Sequence, residues 1–202
     1  MTKHILLLRH SRCEANDEKK YIGCRTDVSL SETGIREAEL LKEKIRSLAG
    51  ERPQIFSSPM TRAVQTAKLL FEDENIQVLQ DLKETDFGLF EGRNYYELKD
   101  DPLYQKWIDS NGKDGFPGGE NTQDFIERSV GAFYEVLEKS NGSNICIICH
   151  GGNIMAVMSR LTGRDFYDFH VDTLDGYILE IKTDGKRVFD FSYDRFGERI
   201  SS

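Results

Sequence analysis

The chain has 202 residues, with 27 lysines and arginines against 35 aspartates and glutamates, and a formal net charge of −8. This length suits one globular domain, and a hydrophobic fraction of 38% is too high for a disordered chain. No apolar run approaches the roughly 20 residues that a membrane helix needs. The acidic balance disfavours a general nucleic-acid binder and, taken alone, an anionic substrate as well.

The first four residues lack the long apolar segment of a signal peptide, so we expect a cytoplasmic protein. In that compartment we expect the four cysteines to be thiols and not disulfides. We predict no membrane partner and no nucleic-acid partner. The oligomeric state stays open, with a homodimer as one outcome.

Predicted strands and helices alternate along the chain. Strands are predicted at 5–8, 55–56, 76–79 and 145–149, followed by a hairpin of 177–182 and 188–193. Helices are predicted at 31–50, 60–71, about 121–137 and 151–162, with Ser31 as the first N-cap. This order predicts a three-layer α/β fold, in which helices cover both faces of a mostly parallel sheet. We expect a single domain, 1–202, with a small helical insertion at about 92–120 that acts as a lid.

Chemically active side chains follow four of the predicted strands. They are Arg9 and His10 after the first, Arg62 after the second, Glu84 after the third and His150 after the fourth. In open α/β sheets, ligands bind beyond the carboxyl ends of the strands. We therefore expect these side chains to meet at one edge of the sheet.

These residue types fit the transfer of a phosphoryl group through a histidine. A neutral imidazole nitrogen can attack phosphorus, and arginine forks match phosphate oxygens. A carboxylic acid such as Glu84 can protonate the leaving alkoxide. The helix that begins at Gly151 offers free backbone N–H groups to a phosphate oxygen.

Six segments in chain order resemble the signature of the histidine phosphatase (phosphoglycerate mutase-like) superfamily. They read LRHSRCEAN at 8–16, DVSLSETG at 27–34, SSPMTRAVQTA at 57–67, LKE with FGLFEG at 82–92, PGGE at 117–120 and HGG at 150–152. The resemblance implies a phosphoglycerate mutase-like fold and a phosphomonoester hydrolase that needs no metal or other cofactor. Its substrate would be a small phosphorylated metabolite.

The resemblance also implies a role for each matching residue. His10 would be the phosphorylated nucleophile, Glu84 the general acid and then the base for water, and His150 a stabilising contact of the phosphoryl group. The phosphate would be bound by Arg9, Arg62, Asn16 and the backbone of Gly151.

Two residues depart from the family pattern. Ser11 stands where the family usually has glycine, and Cys13 where it usually has threonine. The Ser11 hydroxyl is a candidate donor to the phosphate, and the Cys13 thiol is a weaker donor than a hydroxyl. Arg12 and Arg25 either add positive charge near the mouth of the site or are solvated.

Within the superfamily, the segments around Tyr21 and 97–107 look most like the α-ribazole phosphatase branch, which acts in cobalamin biosynthesis. A broad-specificity phosphatase of sugar phosphates and other small phosphomonoesters is the alternative. A phosphoglycerate mutase is disfavoured because the insertion is short and holds few basic residues. The aromatic residues of the insertion either line a lid that stacks on a heterocycle or form a small core; they are Tyr95, Tyr96, Tyr104 and Trp107.

Two further alternatives carry less weight. Residues 146–150 spell C-x-x-C-H, the pattern of c-type haem attachment. However, Cys146 and Cys149 are three residues apart in a predicted strand, so their side chains should face opposite sides of the sheet. A binding module without catalysis is disfavoured because both His10 and Glu84 are present.

Overall fold

In the computed structural model, which describes residues 1–72, 74–112 and 114–196, a mixed sheet lies at the centre of the protein. The described part contains six strands: β1 (Thr2–Arg9), β2 (Gln54–Ser57), β3 (Ile76–Val78), β4 (Asn144–Cys149), β5 (Gly176–Thr183) and β6 (Val188–Arg195). Each predicted strand is confirmed, with ends that differ by a few residues.

The strand order is β3-β2-β4-β1-β5-β6. The first four strands pair in parallel, whereas β5 pairs antiparallel with β1 and β6 pairs antiparallel with β5. In the register of β1 and β4, Arg9 lies opposite Cys149, so the two strands end side by side. The predicted α/β fold with a mostly parallel sheet is confirmed.

The helices are α1 (Glu14–Asp17), α2 (Glu32–Ala49), α3 (Thr61–Leu70), α4 (Tyr95–Leu98), α5 (Pro102–Asp109), α6 (Thr122–Lys139) and α7 (Gly151–Thr162). The four predicted long helices are confirmed. Ser31 caps α2, because its Oγ accepts a 3.1 Å hydrogen bond from the N–H of Gly34. Across the described ranges, no helix is both long enough and apolar enough to span a bilayer.

Alternate side chains of the central strands pack into separate cores on the two faces of the sheet. Leu6 and Leu8 of β1 pack on the side of α2 and α3, and Ile5 and Leu7 pack on the side of α6 and α7. The cysteines of β4 divide in the same way: Cys146 belongs to the first core and Cys149 to the second. The prediction that they face opposite sides is confirmed, and this geometry prevents their joint attachment to a haem.

The insertion that carries α4 and α5 has a small core of its own. Phe90, Leu98 and Tyr104 are buried there, and Trp107 packs against them with a ring stacked on Tyr104 at 5.7 Å between centroids. By contrast, Tyr95 and Tyr96 are 56% and 76% exposed. Of the aromatic residues in the insertion, Tyr104 and Trp107 therefore belong to its core, and Tyr95 and Tyr96 belong to its surface. The prediction of one domain over 1–202 includes Asp73, Lys113 and 197–202, which lie outside the described residues, and it stays a prediction.

Candidate active site

Two histidines meet at the ends of the neighbouring parallel strands β1 and β4. His10 follows β1, and its backbone N–H donates to the carbonyl of Cys149 at 3.0 Å. His150 follows β4, and the centroids of the two imidazole rings are 5.1 Å apart with the planes inclined at 64°. Both rings are buried, with His10 3% exposed and His150 0%. The strand register thus brings together two residues that are 140 positions apart in the sequence.

Hydrogen bonding selects the tautomer of His10. Its Nδ1 lies 2.6 Å from the carbonyl oxygen of Ser11, and a carbonyl can only accept, so Nδ1 carries the proton. Burial, together with the charges of Arg62 and Arg9, lowers the pKa of His10 well below its ordinary value. The ring is therefore neutral near pH 7, and Nε2 has the free lone pair that a nucleophile needs.

His150 is held by a residue that sequence reasoning did not single out. Its Nε2 shares a 2.7 Å hydrogen bond with Oγ of Ser58, which follows β2. Its Nδ1 is buried and has no partner among the described protein atoms. Burial, and then the charge of Arg62, lowers the pKa of His150 well below its ordinary value. The segment SSPM contained Ser58, but only the tertiary contact with His150 reveals its role.

The two arginines are anchored through carbonyl oxygens. Arg62, in the first turn of α3, is 1% exposed and donates to the carbonyls of Ile22, Gly23 and Thr26 at 3.2–3.3 Å. Arg9 donates through Nη1 to the carbonyl of Val171 at 2.7 Å, and its Nε is buried without a protein partner among the described residues. Since a carbonyl carries no full negative charge, both guanidinium groups keep their positive charge for an anion.

Glu84 is a buried carboxyl at the same edge of the sheet. It follows the 3₁₀ turn Gln80–Leu82, is 9% exposed, and its Oε1 accepts a 2.8 Å hydrogen bond from the N–H of Thr85. Burial raises the pKa of Glu84, against the opposing effects of the Thr85 N–H and the charges of Arg62 and Arg9. A carboxyl in this environment holds its proton at a higher pH than a solvated one.

Asn16 and Gly151 complete the predicted set. The side-chain oxygen of Asn16 accepts from the N–H of Cys13 at 2.9 Å and from its thiol at 3.0 Å, so the amide NH₂ is the end that can donate to a phosphate. Gly151 is the first residue of α7 and lies beside Arg9, since a Cβ added to it would be 3.8 Å from the guanidinium carbon. The N–H of Gly151 belongs to this first turn, and Gly151 lines the same cleft as His10.

The candidate role of Ser11 as a phosphate donor is wrong. Its side chain is fully buried, and Oγ donates to the carbonyl of Gly34 at 2.7 Å. Its φ is not positive, so serine meets no backbone penalty where the family usually has glycine. Ser11 therefore fastens the nucleophile loop to α2.

The two further arginines are both paired with carboxylates. Arg12 borders the cleft but binds Asp17 at 2.7 Å and Glu37 at 3.3 Å. Arg25 binds Asp86 at 2.7 Å. Each adds less positive charge to the mouth of the site than a free arginine would.

A cleft of about 1300 Å³ opens over these groups. It is lined by Arg9, His10, Asn16, Arg62, Glu84 and Gly151, and His150 lies directly against His10. The lining also includes seven aromatic residues: Tyr21, Phe87, Trp107, Phe116, Phe125, Phe166 and Tyr167. In the described ranges, no three His, Cys, Asp or Glu side chains are arranged to hold a metal ion. The arrangement suits an anion beside the arginines and His10, and a flat group against the aromatic side chains.

Comparison with known proteins agrees with this geometry. Residues 5–193 match the profile of the histidine phosphatase superfamily (branch 1). A metal-independent phosphoserine phosphatase of Arabidopsis thaliana is 30% identical over 78% of this chain and 68% of its own length. Phosphoserine phosphatase 1 of Hydrogenobacter thermophilus is 26% identical over 88% of this chain and 86% of its own.

Among solved structures, the α-ribazole phosphatase of Shigella flexneri superimposes with a TM-score of 0.77 and 26% sequence identity. The match covers 92% of this chain and 93% of that protein. The similarity therefore extends over most of the length of both proteins.

Proposed function

This chain belongs to the histidine phosphatase superfamily and is a phosphatase, and we propose that it hydrolyses small phosphomonoesters through a phosphohistidine at His10. The observation that carries this proposal is the Nδ1–Ser11 hydrogen bond, which leaves Nε2 of a neutral, buried imidazole as the nucleophile. The arginines, the second histidine and the buried Glu84 carboxyl lie around it at the same cleft.

In the first step, Nε2 of His10 attacks phosphorus and the ester P–O bond breaks. The Glu84 carboxyl gives its proton to the leaving oxygen, which departs as an alcohol. Negative charge spreads over the three equatorial oxygens in the transition state. Arg9, Arg62, Nδ1 of His150 and the N–H of Gly151 stabilise that charge.

In the second step, the Glu84 carboxylate takes a proton from water as the water oxygen attacks phosphorus. The P–N bond to His10 breaks, and the electron pair returns to Nε2. Inorganic phosphate leaves, and Glu84 is again protonated. The cycle closes with both residues in their starting states.

Trapping of the intermediate tests this mechanism. Brief mixing with phosphate-labelled substrate and an alkaline quench should leave acid-labile, base-stable label on His10. His10→Ala should abolish both the label and the turnover of p-nitrophenyl phosphate. His4→Ala, at the exposed opposite end of β1, is the matched control and should change neither. Label on a serine or cysteine would refute the mechanism.

For the substrate we propose α-ribazole 5'-phosphate, a heterocyclic phosphomonoester of cobalamin biosynthesis. The support is the aromatic lining of the cleft, which includes Trp107 of the insertion and Tyr167. Stacking of a base on an aromatic side chain contributes about 1–3 kcal/mol. A phosphate held at His10 leaves the organic part of the substrate among these rings.

Phosphoserine is the second candidate, since relatives at 30% and 26% identity carry that activity in their names. A broad preference for sugar phosphates is the third outcome. Parallel values of kcat/KM for α-ribazole phosphate, phosphoserine, 3-phosphoglycerate and fructose bisphosphate discriminate among them. A preference for phosphoserine or no preference would each overturn the α-ribazole assignment, and transfer of phosphate between phosphoglycerates would indicate a mutase.

A variant of the aromatic lining sharpens this comparison. Trp107→Leu should raise KM for α-ribazole phosphate about tenfold through lost stacking, while KM for phosphoserine changes little. Tyr96→Leu is the control, because this tyrosine belongs to the same insertion but is 76% exposed. An equal change for both substrates would show that the Trp107 ring does not select a heterocycle. The cytoplasmic location, the homodimer and the absence of nucleic-acid and membrane partners stay predictions.

A further inference from the structure

A nearly buried ion pair joins the start of α6 to the loop before it. The guanidinium group of Arg128 in α6 donates two hydrogen bonds to the Glu120 carboxylate: Nε lies 2.9 Å from Oε1, and Nη2 lies 2.8 Å from Oε2. The side chains are 14% and 17% exposed. A bidentate pair at these distances fixes the orientation of the two side chains as well as their positions.

The third nitrogen of the Arg128 guanidinium group, Nη1, donates to the backbone on the N-terminal side of Glu84, the candidate acid. Nη1 donates to the carbonyl of Asp81 at 2.7 Å and to the carbonyl of Lys83 at 3.0 Å. Lys83 is the residue directly before Glu84. One guanidinium group therefore fixes the backbone that leads into the acid.

The carboxylate of Glu120 reaches the chain on the C-terminal side of the acid. Its Oε2 accepts from the N–H of Asp86 at 3.3 Å and from Oγ1 of Thr85 at 3.5 Å. The N–H of Glu120 in turn donates to the carbonyl of Asp86 at 2.9 Å. The ion pair thus holds the loop on both sides of Glu84 without touching the carboxyl itself.

Since Glu84 is the general acid under the proposed function, we propose that Arg128 and Glu120 are its positioning residues. An acid transfers its proton only within hydrogen-bond reach of the leaving oxygen, so a small movement of this loop weakens catalysis. We call the Arg128–Glu120 ion pair the clamp. Its loss should therefore act like partial loss of Glu84. It should leave the nucleophile and the phosphate-binding groups in place.

The leaving group separates this role from a merely structural one. Nitrophenolate departs without help, whereas an alkoxide needs a proton from the acid. Arg128→Met keeps the length and apolar stem of the side chain but makes none of the four hydrogen bonds. We expect kcat for an alkyl phosphate such as glycerol 2-phosphate to fall about 100-fold, and kcat for p-nitrophenyl phosphate to fall only a few-fold.

Two further variants keep the test independent of folding. Glu120→Gln is nearly isosteric, but its NH₂ cannot accept and must face a donor in either orientation, because Arg128 donates to both carboxylate oxygens. It should therefore show the same selective loss. Arg128→Lys keeps the charge and should recover only part of the rate, because one ammonium group cannot serve all four acceptors. The control is Glu127→Gln, which removes an exposed pair with Arg160 from the neighbouring position of α6 and should change neither substrate.

Combination with Glu84→Gln completes the experiment. If the clamp acts through Glu84, the double variant Glu84→Gln/Arg128→Met should be no slower on the alkyl phosphate than Glu84→Gln alone. Equal losses on both substrates, or additive losses in the double variant, would overturn the positioning role. Failure of the proposed function has a different signature: wild-type enzyme without a phosphohistidine, or Glu84→Gln without dependence on the leaving group.

Discussion

The carboxyl of Glu84 occupies the space that a side chain on Gly152 would need. A Cβ added to Gly152 would lie 2.6 Å from Oε1 of Glu84 and 2.8 Å from Cζ of Phe125. Glycine in the first turn of α7 therefore allows the acid to approach the helix and the two histidines. The absence of a side chain at Gly152 thus determines where the Glu84 carboxyl lies.

Gly152→Ala should displace Glu84 and lower catalysis. We expect kcat for alkyl phosphates to fall about 10- to 100-fold, because the acid contributes at least that factor when it is correctly placed. The measurement is steady-state kinetics on an alkyl phosphate and on p-nitrophenyl phosphate. Unchanged rates on the alkyl phosphate would show that the loop moves aside without loss of function.

Gly131→Ala is the control for that substitution. Gly131 lies within α6, and nothing is within 4 Å of the position that its Cβ would take. Alanine should raise the free energy of unfolding by about 1 kcal/mol through helix propensity and leave the kinetics unchanged. The pair of variants separates the effect of a methyl group in a helix from the effect of a methyl group against the acid.

Ser58→Ala should impair the site through His150. The substitution removes the 2.7 Å hydrogen bond to Nε2 and leaves a buried ring nitrogen without a partner, which costs about 1–3 kcal/mol of stability. The freed ring can turn away from the phosphoryl group, so we also expect a lower kcat/KM. Ser57→Ala is the comparison, since the Ser57 hydroxyl donates only to the neighbouring Ser58 carbonyl. Equal kinetic losses in both variants would contradict a role specific to Ser58.

Ser11→Gly should change stability without changing phosphate binding. The hydroxyl donates to the carbonyl of Gly34, so its removal should lower the free energy of unfolding by about 1 kcal/mol, and the greater freedom of glycine should add to that loss. The KM for p-nitrophenyl phosphate should stay at the wild-type value. A large increase in KM with an intact fold would restore Ser11 as a phosphate ligand.

The pH dependence of activity should follow the shifted pKa values. The first step needs Glu84 protonated and His10 neutral. Burial raises the pKa of Glu84, so the rate should persist to a higher pH than a solvated carboxyl allows and then fall as pH rises through that pKa. Burial and the arginine charges lower the pKa of His10, so the nucleophile stays neutral in weak acid.

The measurement is kcat/KM against pH for an alkyl phosphate. We expect Glu84→Gln to abolish the alkaline decrease that belongs to the acid. If the variant keeps the wild-type profile, the decrease belongs to another group.

The sequence by itself determined which side chains follow the parallel strands, and therefore the edge of the sheet at which the candidate site lies. Apolar runs without alternation mark strands that are buried on both faces, and His10 and His150 follow the two clearest of them. Parallel strands end at one edge, so the order of the chain was enough to predict that these histidines, Arg62 and Glu84 meet. The net charge of −8 gave no indication of this positive site, because net charge describes the whole protein surface and not the charge within one cleft.

Only the tertiary structure decided which partner each polar side chain takes. The contacts of Ser58 with His150 and of Arg128 with the Lys83 carbonyl join residues 92 and 45 positions apart. For the same reason, the Ser11 hydroxyl donates to the carbonyl of Gly34 and not to a group in the cleft. A buried donor bonds to the acceptor that packing brings within reach, and the distance between elements after folding is not encoded in any local pattern.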